Sequence, residues 1–96
     1  SPPIPEALGP LLFHICTHPS PVIHMMDIGP GMGNDTFMSL FTGKIKEIIA
    51  VDVHQAQLAD LLDKVTQLVT YEYLPQGTKE KVQTVKCDFS KPEGVL

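Results

Sequence analysis

Apolar positions along the chain come as short runs separated by turn-forming residues, with one longer stretch in which they recur at helical spacing. That stretch runs from residue 55 to about 69. Leu58, Leu61, Leu62, Val65, Leu68 and Val69 fall at i, i+3, i+4, i+7, i+10 and i+11, while Asp60, Asp63, Lys64 and Gln67 occupy other faces. This predicts an amphipathic helix with one side to bury. Full cover is worth roughly 1.5–3 kcal/mol for each aliphatic, so the helix must pack on something. Residues 22–28 and 48–53 are short apolar runs with little alternation, which predicts strands buried on both faces. Residues 82–89 alternate more and predict a third strand nearer an edge. Between the first two strands Asn34 reads as a helix cap. Phe37, Leu40 and Phe41 then recur at helical spacing until Gly43 stops a short helix.

The ends and connections are less regular. Residues 1–10 hold Pro2, Pro3, Pro5, Pro10 and Gly9, which predicts an extended lead-in, because proline removes a backbone donor and restricts its predecessor. Residues 11–15 form a short apolar piece that fits either a strand or a helical turn. Residues 71–81, with Pro75 and Gly77, read as a turn-rich connection. The organisation expected is a proline-containing lead-in over residues 1–21 and one partial domain over 22–96. The succession strand, helix, strand, helix, strand is that of an α/β, Rossmann-like parallel sheet.

Composition narrows the function classes. With 96 residues, 43% of them apolar, the chain can bury one small core. It carries 7 Lys and Arg against 11 Asp and Glu, and every basic residue is a lysine, so no guanidinium can clamp a phosphate or read a base edge. Its 4 Phe and 2 Tyr, without Trp, are too sparse for a base-stacking platform. No nucleic-acid surface is therefore expected in this stretch. Cys16 and Cys87 fall below a disulfide framework and fit a reducing compartment. No run is long enough to span a bilayer, and the start lacks the pattern of a secretory signal, so no membrane and a cytoplasmic setting are expected.

The candidate chemistry lies at the strand ends. Asp27, Asp52 and Asp88 fall at the carboxyl ends of the three predicted strands, which in an open parallel sheet line the ligand crevice. Beside the first of them runs Asp27-Ile28-Gly29-Pro30-Gly31-Met32-Gly33. Gly29 and Gly31 permit torsions that side chains disfavour and let ligand atoms approach the backbone, while Gly33 is expected to let the helix pack closely on the strand. Taken alone, the glycines with Pro30 also fit a plain strand-to-helix turn. Asp52 also fits a cap for the helix after it, and Asp88 a strand end.

Together these features resemble the class I methyltransferases that use S-adenosylmethionine. Their first motif is an apolar strand followed by acid-x-Gly-x-Gly-x-Gly, which residues 27–33 match throughout. A dinucleotide site instead wants glycine where Asn34 stands. The resemblance implies that Asp27 orients the region holding the methionine amino group, with Gly29, Pro30, Gly31 and Gly33 forming the turn beside the cofactor. It implies that Asp52 accepts from the ribose hydroxyls, with Val53 and His54 beside the adenine. It further implies that Asp88 accepts from the adenine amine while the Phe89 amide meets a ring nitrogen.

The matching stretch, about residues 22–90, corresponds to only the first three strands of the seven-strand methyltransferase domain. No acceptor-site motif and no general base follow, so the catalytic residues and the methyl acceptor are not named by this sequence. The stretch is expected to be inactive alone and to need a remaining domain half or a partner chain to complete its sheet. The alternatives are part of an NAD-dependent oxidoreductase, or a noncatalytic protein-binding or assembly domain of the same fold. His14, Cys16, His18 and His24 make a zinc site chemically conceivable, yet no familiar ligand spacing is present, and no metal is expected. Cys87, inside the third predicted strand, is expected to behave as a small hydrophobe.

Overall fold

The computed structural model describes residues 8–20, 23–30, 33–88 and 90. Helix α1 (Leu8–Thr17) precedes strand β1 (Ile23–Ile28), followed by α2 (Asn34–Phe41), β2 (Ile45–Asp52), α3 (Gln55–Thr70), a short 3-10 helix (Lys79–Lys81) and β3 (Val82–Lys86). The three strands form one parallel sheet in the order β1-β2-β3. Parallel neighbours need a crossover, which α2 and α3 supply. β2 begins earlier than its apolar run suggests, at Ile45, and β3 stops sooner, at Lys86.

Register sorts the strands into two faces. Met25, Ile48 and Val82 form one row and Asp27, Ala50 and Thr84 another on the same face. Ile48 and Ala50 are fully buried there, in core clusters that hold Val65, Leu58 and Leu61 of α3 and Leu40 of α2. The opposite face carries Met26, Ile49 and Gln83, then Ile28, Val51 and Val85. Met26 is 58% and Ile28 60% exposed. The expectation that β1 is buried on both faces is therefore wrong: β1 is an edge strand here, and on the face away from the two core clusters Val51 of the central strand is buried while Met26 and Ile28 are not. β3, the other edge, agrees with its more alternating sequence.

The segment before β1 also departs from expectation. Leu8, Gly9 and Pro10 form the start of α1 rather than part of an extended lead-in. Proline is tolerated there because first-turn amides have no intrahelical acceptor. Residues 11–15, open between strand and helix, are helical, and Ile15 joins the core cluster of Ile48 and Leu40. Lys44 holds the end of the helix: its Nζ donates to the carbonyls of Cys16 (3.2 Å) and His18 (2.9 Å), a favourable place for a cation.

Helix ends follow backbone logic. α2 is capped by Gly33, and Asn34 is its first helical residue, which corrects the cap assignment. α3 closes with the Glu72 amide on the Val69 carbonyl (3.0 Å) and the Tyr73 amide on that of Leu68 (2.8 Å). This is a Schellman closure, with Glu72 in the left-handed region at φ 65°.

Candidate functional site

The carboxyl ends of all three strands open into one cleft of about 280 Å³. Ile28 and Gly29 line it from β1, Val51, Asp52 and Val53 from β2, and Cys87, Asp88 and Ser90 from the segment after β3. Two backbone bonds carry the sheet to this rim. The Gly29 amide donates to the Val51 carbonyl (2.7 Å) and the Cys87 amide to that of Asp52 (2.9 Å). Cys87 thus lies beyond the strand, at the cleft, rather than inside β3 as its sequence suggests.

The glycines of the turn have separate jobs. Gly29 has φ +65°, and a Cβ built on it meets nothing within 4 Å, so it supplies the backbone conformation and leaves open space at the cleft. Gly33 has φ +89°, and a Cβ there falls 2.6 Å from Leu61 Cδ1 and 2.9 Å from the Phe37 ring. Its close approach is to α3 and to its own helix, not to the strand. The Pro30 carbonyl accepts from the Gly33 amide (2.8 Å), which closes the turn. Gly31 lies outside the described residues.

The acids differ in setting. Asp52, 9% exposed, accepts the His54 amide on Oδ1 at 2.9 Å, which shapes the entry to α3. Among the described residues its Oδ2 has no partner, and each carboxylate oxygen offers two lone pairs. Asp88 accepts both the amide (3.0 Å) and the hydroxyl (2.6 Å) of Ser90 on Oδ1. The Ser90 hydroxyl first, then its amide, hold the Asp88 carboxyl below its usual pKa, so it stays charged.

Asp27 sits apart from the cleft, on the covered face of the sheet and 8% exposed. Its Oδ2 accepts from Thr36 Oγ1 at 2.5 Å. Burial pushes its pKa up, the Thr36 bond offsets part of that, and the Asp35 charge adds to the rise.

The structure therefore gathers Gly29, Asp52, Val53 and Asp88 at one opening. Pro30, Gly33 and Asp27 stand behind it as parts of the turn and its support. His54 departs from the expected arrangement: it is exposed, caps α3 and lines a separate depression with Ala56, Gln57 and Asp60. The short bond from its amide to Asp52 turns residue 54 out of the cleft while Val53 remains, 41% exposed. Phe89 lies outside the described residues.

Thr36 and Ser90 were not found from the sequence. Ser90 could have been, since Asp-x-Ser is a recognisable Asx pattern. His14 and Cys16 are helical, so their alternation does not place them on one strand face, and His14 instead meets His18 edge to face with centroids 5.6 Å apart. Among the described residues no three His, Cys, Asp or Glu side chains gather as metal ligands.

No protein-family profile and no curated protein matches the sequence. Solved structures do match its fold. TrmK of M. capricolum, in complex with the natural cofactor product S-adenosyl-homocysteine, aligns with a TM-score of 0.64 at 18% identity, over 88% of this chain and 32% of its own. YjhP of E. coli aligns at 0.59 and 18% identity, over 88% of this chain and 30% of its own. A dimethyladenosine transferase of Plasmodium falciparum aligns at 0.57 and 19% identity, over 92% and 28%. The chain spans about a third of the length of these proteins. Its fold is the Rossmann-like α/β fold of the matching part of these proteins.

Proposed function

We propose that the chain is the S-adenosylmethionine-binding part of a methyltransferase, and that the cleft at the strand ends is its cofactor site. The observation that carries this reading is the convergence of Gly29, Asp52 and Asp88 on one opening, in a fold shared with a protein that holds S-adenosyl-homocysteine. The residues present fit such a ligand. Open space faces Gly29, Val53 offers an exposed apolar surface, and Asp52 retains an oxygen without a partner among the described residues.

In this reading Asp52 accepts from the ribose hydroxyls and Val53 packs beside the adenine. Asp88 accepts from the adenine amine, with the Phe89 amide at a ring nitrogen. The turn of Gly29, Pro30, Gly31 and Gly33, backed by Asp27, holds the amino-acid end. His54 receives no ligand contact, because it stands outside the cleft. The bound cofactor supplies an electrophilic methyl group, and this chain binds and orients it. The acceptor and any general base come from the remaining domain half or a partner chain. That part would also cover Met26 and Ile28 and pair with the edge of β1. Residues 22–96 carry the site and α1, from residues 1–21, buttresses it. The protein works in the cytoplasm. Among the described residues no helix is long and apolar enough to cross a membrane.

Titration of the full chain with S-adenosylmethionine, S-adenosylhomocysteine and NAD tests this reading. Saturable binding of the first two is expected. Binding of NAD alone overturns it in favour of an oxidoreductase, and binding of none of the three overturns it in favour of a noncatalytic role.

A further inference from the structure

Thr36 is a polar side chain where the fold could have used valine. It is fully buried, on the face of α2 that also buries Ser39 and Leu40. A buried hydroxyl is costly unless it is bonded. A single bond answers for it, donated from Oγ1 to Asp27 Oδ2 across the glycine turn. A hydroxyl carries one proton, so donation to a carboxylate is the arrangement that gives a strong, charge-assisted bond.

The bond spans the whole turn. Asp27 is the penultimate residue of β1 and Thr36 lies in the first turn of α2. Backbone bonds pin the two ends separately, Gly29 to Val51 and Phe37 to Gly33 (2.9 Å). Among the described residues the Thr36 to Asp27 bond is the side-chain link that ties strand to helix over the turn. It engages one oxygen of the buried carboxylate.

We infer that Thr36 is a positioning residue for the amino-acid end of the cofactor: by holding Oδ2 of Asp27 behind the cleft it ties the end of β1 to the start of α2, and so fixes where the glycine turn between them meets the ligand. This inference rests on the cofactor reading above and adds a residue to it. It makes the two ends of the ligand separable, because the nucleoside end is assigned to Asp52, Val53 and Asp88 at and beyond the ends of the other two strands.

The test compares S-adenosylhomocysteine with 5′-methylthioadenosine, which has the same nucleoside but no amino-acid end. Thr36→Val keeps the shape of the side chain and removes the hydroxyl, and Thr36→Ser keeps the hydroxyl. Thr36→Val is expected to weaken S-adenosylhomocysteine roughly tenfold, the scale of a lost bond to a charged group. Affinity for 5′-methylthioadenosine should be unchanged, and Thr36→Ser should restore most of the loss. Thr36→Ala, the second hydroxyl-free variant, should show the same split, with circular dichroism confirming that each variant is folded. Equal affinity for S-adenosylhomocysteine in wild type and the hydroxyl-free variants overturns the inference, as does an equal loss for both ligands. Wild-type protein that binds neither ligand overturns the cofactor reading and this inference with it, a result seen before any variant is made.

Discussion

Asp27 is a carboxylate held where ionisation is costly, by burial first and by the neighbouring Asp35 charge, with the Thr36 bond as partial compensation. Its folded pKa is raised above its unfolded value, so the sign of the linkage is opposite to that of an ion-paired acid. Its contribution is most favourable below the ordinary value of 3.8 and is lost as the pH rises through the raised folded value. Asp27→Asn keeps an acceptor for Thr36 without the charge. The variant is expected to be more stable than wild type at neutral pH, with the gain vanishing in acid; denaturant titrations across pH measure it, and a gain independent of pH would contradict the assignment. The two glycines of the turn allow a second comparison. Gly33→Ala combines a left-handed backbone with a 2.6 Å clash on Leu61 and should cost about 2–4 kcal/mol. Gly29→Ala meets open space and should cost only about 1–2 kcal/mol. Thermal or chemical unfolding of the pair checks the order.

Helix α3 and the strand positions were legible in the sequence because run length and period are local properties. Leu58, Leu61 and Val65 are buried as their spacing requires. What depends on neighbours was not legible. Met26 and Ile28 read as buried because their strand is apolar throughout, yet one face of β1 carries no cover. Asn34 has the chemistry of a cap, but the left-handed torsion of Gly33 places the helix start one residue earlier than that chemistry suggests. Asp52 and Asp88 were readable as strand-end acids, whereas Thr36 has no local signature because its partner lies 9 residues away across a turn. The end of α3 yields a prediction of its own. Glu72 occupies the left-handed position of the Schellman closure, where glycine is favoured. Glu72→Gly should raise stability by about 0.5–1 kcal/mol in equilibrium unfolding.

At the scale of the molecule, two core clusters on one side of the sheet and an exposed edge-strand row on the other belong together. Exposed Met26 and Ile28, on a strand with an open edge, make a surface prone to association. Replacing both with threonine should reduce self-association in light scattering, with stability changed by no more than about 0.5 kcal/mol, as for exposed positions. A loss of several kcal/mol would mean that these side chains are covered in solution. On the proposed reading, the strand-end cleft binds the cofactor and whatever covers the open face supplies the acceptor. The most direct test is amide chemical-shift mapping of the nitrogen-labelled chain with S-adenosylhomocysteine. The account predicts the largest changes at Gly29, Asp52, Val53, Cys87 and Asp88, the residues that bring three strand ends to one cleft. Changes confined to the distant depression of Phe41, Tyr71 and Tyr73, or none at the strand ends with excess ligand, would contradict it.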